Sequence, residues 1–299
     1  MRQPTIMVTG AGGQIGYELA RLLAPHGDIV ATDRTTLDLA EPDAIVAAMR
    51  GAKPSLVVNA GAYTAVDLAE REVALAEAVN GRAPGILAEE AKRLGAVLIH
   101  YSTDYVFDGM RTAPYAEDAA TAPQNVYGAT KLDGERAIFA TDADALVFRT
   151  SWVYGLRGKN FLMTIRRLAV ERDELSIVAD QVGVPNWCRT LAEATVRIVG
   201  TGIPAIAERA GLYHLSSSGQ ASWHEFARAI VGDVPRPRIV PIATAEYPTP
   251  ARRPAYGVLA TAKFAATFGF TLPHWREALA NCMASPPEAA RPDAGCATP

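Results

Sequence analysis

The run Gly10-Ala11-Gly12-Gly13-Gln14-Ile15-Gly16 constrains this chain more than any other stretch. It follows an apolar segment, Thr5–Thr9, and precedes Leu19, Leu22 and Leu23, whose three- and four-residue spacing marks a helix face. A strand that turns at once into a helix needs glycine at the turn, and a backbone bare of Cβ atoms can close on a diphosphate. The helix N-terminus then offers unpaired N–H groups and the positive end of its dipole to that anion. Asp33 ends a second apolar segment, residues 29–32, at about the 20-residue distance where a carboxylate accepts from ribose hydroxyls. Gly10, Gly13, Gly16 and Asp33 are therefore expected to hold a nicotinamide dinucleotide. Asp33 favours NADH, whereas Arg34 beside it can accommodate the 2′-phosphate of NADPH, so either cofactor is expected.

The pattern continues. Apolar segments at 56–58, 96–99 and 146–148 alternate with helical patterns at 44–49 and 73–94. Strands that are apolar throughout are buried on both faces, as in parallel sheets. Strand and helix in alternation argue for right-handed βαβ units. The expected class is α/β, a doubly wound parallel sheet of the Rossmann kind with a smaller α/β substrate domain. Residues 1–150 form the expected cofactor domain. Residues 151–284, with helices at 161–170, 191–199 and Trp223–Val231, a strand at 212–215 and a proline-rich extended stretch at 233–254, form the second, with allowance for the chain crossing back. Residues 285–299, rich in Pro, Ala and Gly, read as a disordered tail.

Composition narrows the partners. A net charge of -3 gives no electrostatic case for nucleic acid. No apolar run is long enough to span a membrane, no leader precedes Thr5, and three cysteines build no disulfide framework. A cytoplasmic protein is expected. The five histidines have no metal-ligand spacing, so no metal site is expected.

Tyr127 and Lys131 stand four apart, on one face of a helix. Hydride transfer to a carbonyl leaves an alkoxide that needs a proton. A phenol can supply it, and a nearby ammonium lowers the phenol's pKa. Lysine can also hydrogen-bond the nicotinamide ribose. A third group belongs at the carboxyl end of a strand, where ligands bind in open α/β sheets. Ser102 or Thr103 could hold the carbonyl oxygen there, and residue chemistry does not choose between them.

Ser102-Thr103-Asp104-Tyr105-Val106-Phe107-Asp108-Gly109, followed by Asn125-Val126-Tyr127-Gly128-x-x-Lys131, resembles the extended short-chain dehydrogenase/reductase family. The Gly10-x-x-Gly13-x-x-Gly16 spacing fits that type of loop. Val58-Asn59-Ala60-Gly61-Ala62-Tyr63-Thr64-Ala65-Val66-Asp67, Phe148-Arg149-Thr150-Ser151-Trp152, Asp180-Gln181-x-Gly183-x-Pro185 and Tyr247-Pro248-Thr249-Pro250-Ala251-Arg252-Arg253-Pro254 are similar, within it, to the dTDP-4-dehydrorhamnose reductases. The resemblance implies NAD(P)H-dependent reduction of the C4 ketone of a nucleotide-linked sugar, the last step of dTDP-rhamnose formation. It implies Thr103, Tyr127 and Lys131 as the catalytic set, Thr103 over Ser102. Gly13, Gln14, Ile15, Asp38, Leu39, Ala62, Tyr63 and Thr64 fall at cofactor positions, with Tyr127 and Lys131 touching cofactor as well. Thr103, Asp104 and Trp152 fall at substrate positions, and Arg253 carries a guanidinium fork suited to a diphosphate. Tyr63 stands where relatives often have histidine, and Asn186 where they have threonine. A homodimer is a further expectation. Glu18 matches one acid of a metal-bridged dimer contact, but Arg189 stands near where another is expected, so no metal bridge is predicted. Two other functions share such a fold: a sugar-nucleotide epimerase or dehydratase, which recycles its cofactor, and a non-catalytic nucleotide-binding regulatory subunit.

Overall fold

A computed structural model describes residues 3–286. The expectation of a disordered tail over 285–299 falls, from residue 287 onward, outside the described residues.

Six parallel strands make the central sheet: β1 (Thr5–Thr9), β2 (Asp28–Thr32), β3 (Leu56–Asn59), β4 (Val97–Thr103), β5 (Ala145–Thr150) and β7 (Gly211–His214). Their order across the sheet is β7-β5-β4-β3-β1-β2. Every residue of β3, β4 and β5 is buried. Both faces are covered, so side chains such as Val58, Ile99 and Phe148 each gain about 1.5–3 kcal/mol by leaving water. One face packs on α1 (Gln14–Leu22) and α6 (Cys188–Val199), through Leu19, Leu23, Leu191 and Ile198. The other packs on α2 (Pro42–Ala52) and α3 (Ala83–Leu94), through Ile45, Met49, Leu87 and Ala91. Pro42 opens α2 in its first turn, where its missing N–H costs nothing, and Gly95, left-handed, ends α3. The helical pattern at 73–94 resolves into a short helix Val73–Ala76, a wide turn Glu77–Arg82, and α3.

The chain crosses back after residue 151. Strand β7 pairs with β5, and Leu191, Ile198, Leu215, Phe264 and Leu272 share the core of the first five strands. A second core gathers Tyr154, Leu162, Ile165 and Leu175 with Phe226, Ile230, Trp275 and Leu279. It lies between α5 (Phe161–Glu171), α7 (Trp223–Val231), the strands β6 (Glu174–Val178) and β8 (Arg238–Ile242), and the helix Trp275–Ala284. Residues 233–254 are not wholly extended loop, because β8 pairs in parallel with β6. Pro241 fits there because β6 is the only neighbour in this two-stranded sheet, leaving one side of the strand free of ladder bonds.

Candidate active site

All catalytic candidates lie at or beyond the carboxyl ends of the central strands. A cleft of about 710 Å³ runs there, lined by the glycine loop, by Asp33, Asp38 and Leu39, by residues 60–64, and by Tyr101, Ser102, Tyr127 and Lys131. The glycine loop is built for close approach. Gly10 has φ +68°, and a Cβ on it would sit 2.6 Å from the Gly61 backbone. A Cβ on Gly16 would sit 2.1 Å from the Gly10 carbonyl oxygen, so helix α1 touches the loop itself. No side chain caps α1, and its first turn holds no acid, so its N–H groups are open to an anion. Cleft, loop and open helix end fit a dinucleotide diphosphate. Gln14 ties this loop to the segment after β5 by donating to the Val153 carbonyl at 3.4 Å and accepting from Asn160 at 3.0 Å.

Asp33 shapes the turn after β2, its carboxylate accepting from the Thr35 N–H at 3.0 Å and hydroxyl at 2.6 Å. Asp38 accepts from the Ala40 N–H at 2.9 Å, and Leu39 packs against Gly61. Ala62, Tyr63 and Thr64 form the wall opposite. Asn80 holds that wall: its amide accepts from the Tyr63 N–H at 2.8 Å and donates to the Tyr63 carbonyl at 2.9 Å. The Tyr63 phenol donates to Glu72 at 2.7 Å.

The helix α4 (Val126–Phe139) carries Tyr127 and Lys131. Asn125 caps it, accepting from the Gly128 N–H at 2.8 Å and donating to the Arg252 carbonyl at 2.7 Å. Glu70 accepts from the Val126 N–H at 2.9 Å. Gly128 lets the helix close on the turn after β4, since a Cβ there would meet the Tyr105 carbonyl oxygen at 2.2 Å. That approach brings the Tyr127 phenol beside the Thr103 hydroxyl and sets its ring edge-on to Tyr105, centroids 5.6 Å apart. Ser102 is spent elsewhere, donating to buried Glu135. Packing thus leaves the Thr103 hydroxyl, rather than that of Ser102, beside the phenol.

The charge pattern differs from the expectation that Lys131 lowers the Tyr127 pKa. Burial pushes the phenol up to about 12, the Thr103 bond opposing and the Asp104 charge adding to the rise. Lys131 is buried, donates to the Tyr101 carbonyl at 2.6 Å and faces His100 Nε2 at 3.2 Å. Its pKa is lowered to about 8, mainly by burial, with Glu135 opposing.

Asp104, also buried, accepts from the Thr103 hydroxyl at 3.1 Å, and burial raises its pKa to about 7. In the fold this carboxyl keeps its proton at pH values where the unfolded chain, near its ordinary 3.8, has lost it. Folding therefore takes up a proton in that window, and the group costs stability progressively from about pH 4 to 7, by about 4 kcal/mol at the plateau above. Asp104→Asn is expected to raise the thermal midpoint at about pH 8.5 but scarcely at about pH 4.5. Equal shifts at both, read by scanning calorimetry, would contradict this.

The substrate candidates are differently placed. Arg253 donates to Asp67 at 2.8 Å and to the Ala251 carbonyl at 2.9 Å, and its charge partly opposes the rise that burial imposes on the Tyr105 phenol. Trp152, with φ +42°, stacks on Trp223 at 3.5 Å between centroids, and the Gly183 backbone crowds its indole. One face of its ring is thus taken by Trp223. Glu18 accepts from Arg189 at 3.0 Å and Arg21 at 2.8 Å. Asn186 is buried between Ser151, Val184 and Ser216, tying the segment after β5 to the segment after β7. Residue reading missed Asn80, Glu70, Asn125 and Glu135. Of these only Asn125, a capping residue just before a helix, carried a local signal.

The family model for the RmlD substrate binding domain matches residues 4–286. The chain is 50% identical over 293 residues to the dTDP-4-dehydrorhamnose reductase of Burkholderia thailandensis, covering 93% of this chain and 97% of that protein. It is 42% identical over 283 residues to the protein of the same name from Escherichia coli K12, covering 91% and 94%. Among solved structures, the dTDP-4-dehydrorhamnose reductase of Bacillus anthracis in complex with NADP superposes with a TM-score of 0.88 at 34% identity, covering 95% of this chain and 99% of that one.

Proposed function

The chain belongs to the RmlD substrate binding domain family, and from that membership and the site described above we propose that it reduces the C4 ketone of dTDP-4-dehydro-L-rhamnose to dTDP-L-rhamnose, as an NAD(P)H-dependent oxidoreductase. The single observation that carries this reading is the Thr103–Tyr127 hydroxyl pair beside a cleft walled by an uncapped glycine loop.

The nicotinamide, when bound, supplies the hydride. Thr103 orients the ketone oxygen against Tyr127, whose O–H proton passes to that oxygen as the C4–hydrogen bond forms. A phenol pushed up to about 12 holds that proton firmly at neutral pH and gives it only to a strong base such as an alkoxide. One turn along the same helix, Lys131 in its protonated form can offset the charge of the phenolate left behind. We assign Gly10, Gly13, Gln14, Ile15 and Gly16 to the diphosphate, Asp33, Asp38 and Leu39 to the adenosine end, and Ala62, Tyr63 and Thr64, with Tyr127 and Lys131, to the nicotinamide end. Asp104 and Arg253 line the sugar-nucleotide side. Trp152 contributes there through its stack on Trp223, as a wall of the smaller lobe. The protein is assigned to the cytoplasm; among the described residues no helix is long and apolar enough to cross a membrane.

The test is NADPH or NADH oxidation with dTDP-4-dehydro-L-rhamnose and the stereochemistry of the product. Stoichiometric oxidation with the rhamno configuration at C4 is expected. Sugar turnover without net oxidation would mark an epimerase or dehydratase, and nucleotide binding without turnover a regulatory subunit.

A further inference from the structure

Beneath the cleft, a line of buried polar side chains runs across three neighbouring strands from the glycine loop to Lys131. Thr9, Asn59 and His100 stand side by side in register on β1, β3 and β4. Asn59 and His100 are wholly buried, and Thr9 and Lys131 are 1% exposed. The Thr9 hydroxyl donates to Asn59 Oδ1 at 2.6 Å, and the Gly61 N–H donates to the same oxygen at 3.2 Å. Asn59 Nδ2 meets His100 Nδ1 at 3.0 Å, and His100 Nε2 meets Lys131 Nζ at 3.2 Å.

Counting protons along this line gives one consistent arrangement. A backbone N–H can only donate, so Gly61 fixes the Asn59 amide with its oxygen toward the cofactor loop. The Asn59 NH2 group, a donor only, therefore faces His100, and Nδ1 must be bare. An imidazolium, with protons on both nitrogens, is excluded for the same reason. A neutral ring with Nδ1 bare carries its proton on Nε2, aimed at Lys131. An ammonium has three donors and no lone pair. Only the neutral amine can accept from Nε2–H while donating to the Tyr101 carbonyl.

We propose that His100 and Asn59 are a positioning pair that selects the neutral amine of Lys131 in this geometry and ties its charge to the backbone of the cofactor loop. Protonating Lys131 requires the ring proton to move to Nδ1 and the amide to turn. Turning the amide breaks its bond to the Gly61 N–H, in the wall of the cleft. Other groups facing Lys131 act by charge rather than by this count. On α4 the charged group is Glu135, whose carboxylate is clasped by Ser102 of β4 and Arg149 of β5; the Tyr127 phenol and the Ser102 hydroxyl are neutral. Glu135 favours the ammonium, while burial opposes it. Asp104, on the turn after β4, acts on Tyr127.

The inference rests on the reading of Lys131 as part of the reductase site. Its tests use neither substrate nor turnover, so its failure and the failure of that reading are separable. In the full chain without added nucleotide, histidine side-chain 15N NMR at about pH 9 should show His100 with a bare Nδ1 and a protonated Nε2. As 13C-labelled Lys131 takes up its proton on acidification, the ring should switch tautomer with the same midpoint. A bare Nε2 throughout would overturn the proposal. In His100→Gln, a side-chain carbonyl can face Nζ and accept from the ammonium. The Lys131 midpoint should then rise by at least about one unit, a tenfold gain in proton affinity. An unchanged midpoint in a folded variant would overturn the proposal. Should that variant not fold, the tautomer measurement on the unaltered chain decides alone.

Discussion

Tyr127→Phe is expected to lower kcat by about 10²–10⁴ while leaving NADPH affinity within a few-fold of the original. The phenol touches Thr103 and packs edge-on against Tyr105, and phenylalanine keeps the ring contact while removing the acid. Because the proton is needed only as the alkoxide forms, the loss should fall on kcat and on kcat/KM alike, with little change in KM. Single-turnover NADPH oxidation, with nucleotide affinity measured separately by fluorescence, distinguishes the two. Near-normal turnover would remove Tyr127 from the role of proton donor. A collapse of affinity together with rate would show instead that the phenol holds the cofactor or the helix. The pH profile adds a check. A donor held near 12 should leave the rate free of any basic limb from this phenol until well above neutrality.

Glu135→Ala is expected to destabilise the fold by about 3–5 kcal/mol. Glu135 and Arg149 are each 3% exposed and joined by two hydrogen bonds, Nε to Oε1 at 2.9 Å and Nη2 to Oε2 at 2.6 Å. Removing the carboxylate strands the guanidinium in the interior, and a buried charge without its counter-ion is what the fold tolerates least. Urea unfolding monitored by circular dichroism should show the midpoint fall with little change in slope. Replacing Glu135 and Arg149 together by apolar residues of similar size should recover much of the loss, since the penalty is the orphaned charge. A loss under about 1 kcal/mol in the single variant would mean that water reaches the guanidinium.

The parts of this site that were legible in the residues are the parts whose geometry is local. Gly10, Gly13 and Gly16 speak through a turn, and Tyr127 and Lys131 through the pitch of one helix. The alternation of apolar segments and helical faces was enough for the parallel sheet, because its strands are buried on both sides and read as unbroken apolar runs. What stayed hidden depends on contacts far apart in the chain. Asn80 holds the Tyr63 backbone, Glu135 pairs with Arg149, and His100 meets Asn59 and Lys131, none with a spacing that a helix or strand would announce. Trp152 shows a different limit. An aromatic just past a strand offers the same letters whatever its ring stacks on, and the indole beneath Trp152 is Trp223, far along the chain. Where the Lys131 amine ends was not legible either, because four residues along a helix fix which face two side chains share but not where a long one ends. The Lys131 amine reaches back to the β4 backbone instead.

The edge of the central sheet is completed by β7, a strand drawn from more than 60 residues beyond its neighbour β5. Cutting the gene after residue 150 would leave a naked row of amides and carbonyls along Ala145–Thr150, an invitation to stick to other copies. Such halves cannot be shuffled among proteins like beads on a string. A recombinant that inherits one without the other would inherit an aggregating fragment, so the two halves are bound to travel through evolution together.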